Sequence, residues 1–357
     1  MLKNSVFFKA CRQEPTEYTP VWLMRQAGRY LKEYRAIRKK VDFLTMCKTP
    51  DLAAEVTLQP VEKLGVDAAI IFSDILLPLE KMGIELEFSQ RDGPVIHNPI
   101  RTEKEIGSLR IIEPEEDVPF VLEAIKKVCK ALNEKIPLIG FSGGPFTLAS
   151  YIIEGGHSQN YINTKKLMYH NPAHWHLLLE KLGEVVTRYL NAQIESGVQV
   201  IQVFDSWAGC LSPQDYTEFV FPHSRYVFRG LKKDVPAIHF ATGTSTLLEL
   251  MQKAGGNVIG IDWRINLSKA WERLRYKVGI QGNLDPVTLF APIPIIKNRV
   301  KEILRSADNR PGHIFNLGHG ILPQTPVENV IALVEAVHEF SQRKKLGTLA
   351  QTAPGRA

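Results

Sequence analysis

The sequence predicts a single (β/α)8 barrel of the α/β class, with a hairpin excursion after the second strand. Three observations predict it. Eight short apolar runs are spread along the chain, each bounded by turn signals. Segments of helical periodicity separate most of them, the order that a parallel sheet closed into a barrel requires. Nearly every run ends in a polar residue or a glycine, and in such a barrel the loops after the strands converge on the mouth where chemistry sits.

The runs are Val21 to Met24, Ala68 to Phe72, Pro137 to Phe141, Val198 to Phe204, Ala237 to Phe240, Val258 to Ile261, Val278 to Gln281 and His313 to Asn316. Between them, Thr49 and Pro50 read as an N-cap and a proline at the first helical position, with Gly65 as the stop. Asn171 and Pro172 repeat the device ahead of an apolar stripe through Leu178, Leu182, Val185 and Tyr189. Glu115 to Lys135 reads as a helix leading into the third strand, and Thr325, Pro326 and Glu328 read as a capping box. Glu85 to Asn98 breaks the alternation and reads as a hairpin turning at Asp92-Gly93. The barrel is expected to occupy residues 1–346 as one domain, with 347–357 a disordered tail.

Composition narrows the function. The chain has 357 residues, 44 of them basic and 38 acidic, for a formal charge of +6 that is not gathered into a long basic run. This speaks against nucleic-acid binding and permits an acidic small molecule. Cys11, Cys47, Cys129 and Cys210 are widely spaced, so neither a zinc knuckle nor a disulfide framework is suggested. No signal peptide and no membrane-spanning apolar run is evident, and a soluble cytoplasmic protein is expected.

The stretch Pro20 to Arg35, PVWLMRQAGRYLKEYR, turns abruptly from an apolar run into Arg25, Gln26, Ala27, Gly28 and Arg29. Two guanidinium groups with small residues between them suit a polyanion, because each stays charged and grips a carboxylate through two parallel hydrogen bonds. The plainer alternative is a helix start in which Arg29 pairs with Glu33. Beyond the other runs stand Ser73 and Asp74, Ser142 to Gly144, Asp205 and Ser206, Thr242 to Thr244, Asp262, Gly282 and Asn283, and Gly318, His319 and Gly320. Each has an ordinary structural explanation, such as Asp74 capping a helix or His319 sitting in a tight connection. Together they describe a mouth with two arginines, a carboxylate and a histidine.

Other signals are weaker. His170, His174 and His176 cluster, but Pro172 interrupts them and residues two apart on a helix do not face each other. Gly143-Gly144 and Gly155-Gly156 match no phosphate-binding pattern, and no lysine just past a strand nominates a Schiff base. No cofactor and no metal is expected.

At the level of motifs the chain resembles the uroporphyrinogen decarboxylase family. The resemblance is carried by PVWLMRQAGRYL, FSDIL from Phe72, IGFSGGPFTL from Ile139 with YIIEGG following, VFDSWAG from Val203, GNLDP from Gly282 and NLGHGILP from Asn316. It implies a homodimeric (β/α)8 barrel that removes carbon dioxide from the four acetate side chains of uroporphyrinogen, giving coproporphyrinogen without a cofactor. It also implies substrate contacts at Arg25, Gln26, Ala27, Gly28, Arg29, Asp74, Tyr151, Ser206 and His319.

On this reading Asp74 stabilises a transiently cationic pyrrole ring, while Arg25 and Arg29 clamp carboxylates and are candidates for proton delivery, although a guanidinium is a poor acid. Related methyltransferases carry zinc on a motif of His, any residue, Cys at the fifth strand. Here the residues are His239, Phe240 and Ala241, which lack the thiolate. A silent tetrapyrrole carrier would need the clamps but not the carboxylate.

Overall fold

A computed structural model describes residues 4–89 and 93–343. Nine strands form two sheets: β1 (Ala69–Ile70), β2 (Leu86–Ser89), β3 (Gly93–Ile96), β4 (Leu138–Gly143), β5 (Val200–Phe204), β6 (Ala237–Phe240), β7 (Val258–Gly260), β8 (Gly279–Leu284) and β9 (His313–Leu317). Seven of them make one parallel sheet in the order β1-β4-β5-β6-β7-β8-β9. β2 and β3 pair antiparallel, as the hairpin reading requires. Its expected turn at Asp92 falls outside the described residues, as do the tail at 347–357 and the first three residues.

The first expected strand, Val21 to Met24, survives as one parallel bridge, Val21 to Phe315, which closes the sheet. Phe315 N–H donates to the Pro20 carbonyl at 2.8 Å, and Asp67 N–H donates to the Val21 carbonyl at 2.8 Å just before β1. The run is not a longer strand because side chains take its amides. Val21 N–H donates to Asp67 Oδ2, Leu23 N–H to Gln26 Oε1 and Met24 N–H to Asn316 Oδ1. The apolar residues Val21 to Met24 are buried all the same, which is what the pattern recorded.

Helices cover the outside of the sheet. Pro50–Leu64 starts after Thr49 and ends at Gly65 in the left-handed region, φ 68°. Thr49 supplies no side-chain cap, however, because its hydroxyl donates back to the Thr45 carbonyl. Pro172–Glu195 runs 24 residues and buries Trp175, Leu178, Leu182, Val185 and Tyr189. The expected helix from Glu115 is two, Pro114–Asp117 and Pro119–Leu132, since Pro119 has no N–H to continue the first. The expected capping box at Thr325 does not form: Val327–Ser341 has Pro326 as its N-cap, with no side-chain cap, and the Thr325 hydroxyl is buried without a partner.

Polar groups hold the two ends of the barrel. Inside it, Trp22 Nε1–H donates to Gln281 Oε1 at 2.8 Å and Gln281 Nε2–H to Gln202 Oε1 at 3.0 Å. At the N-terminal rim Asp67 accepts from Tyr18, the Val21 amide and His338. No helix among the described residues is long and apolar enough to cross a membrane.

Candidate active site

The loops after β1, β4, β5, β7 and β9 and the Val21 bridge supply the residues singled out above. Asp74 follows β1 and stays partly accessible. Its Oδ1 accepts the Leu76 N–H at 2.9 Å, a local turn bond. The following helix, Leu77–Met82, has no side-chain cap, so Asp74 is not its N-cap. Burial raises the Asp74 carboxyl to about 6, with the Leu76 amide and the Arg25 guanidinium pulling the other way.

Arg25 sits in the left-handed region at φ 59°, rare for a residue with a side chain. Its loop is stitched to the end of β9. Asn316 Oδ1 accepts from the Met24 and Leu317 amides, and Ile321 N–H donates to the Met24 carbonyl. A Cβ on Gly320 would lie 2.3 Å from Arg25 Cδ, so that glycine makes room for the arginine stem. Among the described residues neither Arg25 nor Arg29 has a hydrogen-bond or ion-pair partner for its guanidinium. Glu33 pairs with Lys63 at 2.6 Å, which leaves Arg29 exposed at the outer edge beside Tyr34.

His319 donates nothing through Nδ1, which accepts the Gly320 N–H at 2.7 Å. Burial, with the Arg25 and Arg264 charges, lowers its imidazole to about 4. The ring is neutral at pH 7, with its proton on Nε2. Tyr151 lies on the helix Pro145–Glu154, its ring centroid 3.9 Å from that of Trp207. Burial and the Asp74 charge raise its hydroxyl to about 12, against Arg25, so it is a donor. Ser206 precedes Trp207 in the turn after β5, and its carbonyl accepts the Thr242 hydroxyl at 2.6 Å.

Arg25 is the common neighbour: its charge reaches Asp74, Tyr151 and His319. Trp207 joins the Ser206 turn to Tyr151. Gln26 belongs to the same loop as Arg25. Its side chain is fully buried and bonded to Leu23 N–H and the Ala68 carbonyl, and its carbonyl accepts the Tyr30 hydroxyl, so it shapes the loop. Ala27 and Gly28 are partly accessible on that loop. His176 and His223 face each other at 2.9 Å while His174 approaches Glu103, so the histidine cluster is spent on separate contacts.

Sequence reasoning passed over Trp207, Arg264 and the roles of Asn283 and Asn316. Arg264 stands two residues after the strand-end Asp262 and could have been found by extending the strand-end rule that far.

The family model described as Uroporphyrinogen decarboxylase (URO-D) matches residues 2–340. Over 339 residues the chain is 62% identical to the uroporphyrinogen decarboxylase of Carboxydothermus hydrogenoformans, covering 95% of this chain and 97% of that one. The chain belongs to the uroporphyrinogen decarboxylase family. The uroporphyrinogen decarboxylase of Sorangium cellulosum is 54% identical over 342 residues, with 96% and 98% covered.

Among solved structures, a methyltransferase from Methanosarcina mazei superposes with a TM-score of 0.80 at 23% identity, covering 95% of this chain and 98% of that one. That likeness concerns the barrel fold. In this chain the His239 ring packs 4.7 Å from Phe228, its Cβ lies beside Gly256, and burial lowers it to about 4.

Proposed function

We propose that this chain removes the carboxyl groups of the acetate side chains of uroporphyrinogen, giving coproporphyrinogen. The observation that carries this reading is Asp74, a partly accessible carboxylate within the field of an unpartnered guanidinium that also reaches the neutral donors Tyr151 and His319. Loss of carbon dioxide leaves an electron pair that needs a sink, and a protonated pyrrole next to the acetate supplies it. The C–C bond electrons flow into the cationic ring as carbon dioxide leaves. The exocyclic carbon then takes a proton to become methyl, and the ring gives up the proton it gained. Asp74 accepts the pyrrole N–H groups and lies against the positive charge as it grows, a pre-arranged electrostatic contribution of about 3 to 4 kcal/mol on the scale of a lost oxyanion-hole donor.

Arg25 and Arg29 hold substrate carboxylates and set one acetate against Asp74. Tyr151, Ser206 and His319 donate to outer carboxylates. The four cysteines are free thiols, which supports a reducing, cytoplasmic setting. The same reading takes residues 1–346 as one catalytic unit that works as a homodimer.

The test is anaerobic incubation of the purified protein with uroporphyrinogen, followed by oxidation and chromatography by carboxyl number. Products with seven, six, five and four carboxyls are expected. Recovery of the eight-carboxyl porphyrin alone, with no carbon dioxide released, contradicts the reading.

A further inference from the structure

The turn after β7 carries a third guanidinium, Arg264, held more firmly than either arginine of the first loop. Asn283 Nδ2 donates to the Asp262 carbonyl at 2.9 Å and to the Ile265 carbonyl at 2.7 Å, bracketing Trp263 and Arg264 between two fixed points. Asp262 is 4% exposed and accepts the Gly243 amide at 2.7 Å and the Arg264 amide at 3.1 Å. The Arg264 guanidinium pairs with Asp262 and lies 4.3 Å above the Trp263 ring. A guanidinium has five N–H donors in a fixed fork, and this side chain is 53% exposed, so most of the fork is available.

The turn adjoins the catalytic loop. A Cβ on Gly318 would lie 2.6 Å from the Trp263 nitrogen and 3.0 Å from Asp262 Cα, so His319 emerges between this turn and Arg25. Arg264 contributes to the field at His319, whereas the cation that reaches Asp74 is Arg25.

We infer that Arg264 binds a carboxylate of the substrate at the His319 side of the mouth, remote from the acetate being lost. The inference rests on the decarboxylase reading above. A macrocycle with an acetate and a propionate on every ring presents carboxylates on all sides, and Arg264 is a pre-oriented fork beside the His319 loop. Bound alike in the ground and transition states, that carboxylate contributes to KM and little to kcat. Asp262 keeps two backbone donors without the Arg264 side chain, so the turn survives its removal.

The test is anaerobic steady-state kinetics of the full chain with uroporphyrinogen at low and high ionic strength. In Arg264→Gln, KM rises about tenfold at low salt, about 1.4 kcal/mol, with kcat within about twofold of wild type. The difference narrows at high salt, since the side chain is half exposed. In Arg264→Lys, KM rises about threefold, because a point charge does not reproduce the fork. Wild-type KM in the glutamine variant at low salt, or equal losses in kcat and kcat/KM, overturns the inference while leaving the decarboxylase reading intact. Absence of carbon dioxide release by the wild type overturns both. Should Arg264→Gln fail to fold, Arg264→Lys decides: a raised, salt-sensitive KM supports the inference and a wild-type KM overturns it.

Discussion

Asp74 and Asp205 stand at equivalent places, each just past the C-terminal end of a barrel strand, and burial lifts both carboxyls to about 6. Their surroundings differ in access. Asp74 is partly open, with Arg25 in its field. Asp205 is 1% exposed, its Oδ1 accepts the Thr147 hydroxyl at 2.9 Å, and its Oδ2 is buried without a partner. A Cβ on Gly144 would meet Asp205 Cγ and Oδ1 at 2.8 Å, so no ligand reaches it from that side. Thr147 also accepts the Trp207 N–H, at 3.3 Å, which makes Asp205 a support for the turn that carries Ser206. A perturbed carboxylate marks a functional site only when substrate can touch it.

The largest expected effect separates the pair. Asp74→Asn keeps the shape and loses the charge, and kcat/KM falls by about 10² to 10³. Asp205→Asn stays within about tenfold, the scale of an indirect positioning effect. Steady-state decarboxylation by both variants checks this, and equal losses would erase the distinction. Next in size is Gly144→Ala, which overpacks the sealed carboxylate and lowers stability by about 1 to 3 kcal/mol. Thermal melting reads it, and an unchanged midpoint would mean that the Asp205 niche yields. Arg25→Lys keeps the charge beside Asp74 but loses the fork, and kcat/KM drops by about tenfold. Wild-type kinetics in that variant would count against a bidentate grip.

The smallest effect concerns stability against pH. The folded-state value of Asp205, about 6, lies above its ordinary 3.8, so folding favours its protonated form. That contribution is full below about pH 4 and is lost as pH rises through 6. In denaturant unfolding, the stability of the wild type relative to Asp205→Asn falls across this range. A constant difference would place the titration elsewhere.

Much of this was legible in the sequence for a physical reason. The strand-end rule finds Arg25, Asp74, Ser206 and His319 because the barrel brings every such loop to one mouth, and Tyr151 came from the family motif. Gln26 was legible as a residue of the loop, but its side chain serves the Leu23 and Ala68 backbone, a use that only the folded chain fixes. The same bonding reduced the first strand to a bridge, since Asp67, Gln26 and Asn316 are far apart in sequence from some of the amides they satisfy. The box at Thr325 failed because the helix starts at Val327 with Pro326 as its N-cap, one residue later than the box requires.

The most direct test of the account is kcat/KM against pH for the wild type, Asp74→Asn and Asp205→Asn. On the proposed reading ionised Asp74 is the form that stabilises the cationic ring, so the wild-type rate is expected to fall as pH drops through about 6, while His319 stays neutral down to about 4. The account predicts the same acid limb in Asp205→Asn and its disappearance from the residual activity of Asp74→Asn. An acid limb that persists in Asp74→Asn, or that vanishes in Asp205→Asn, contradicts it.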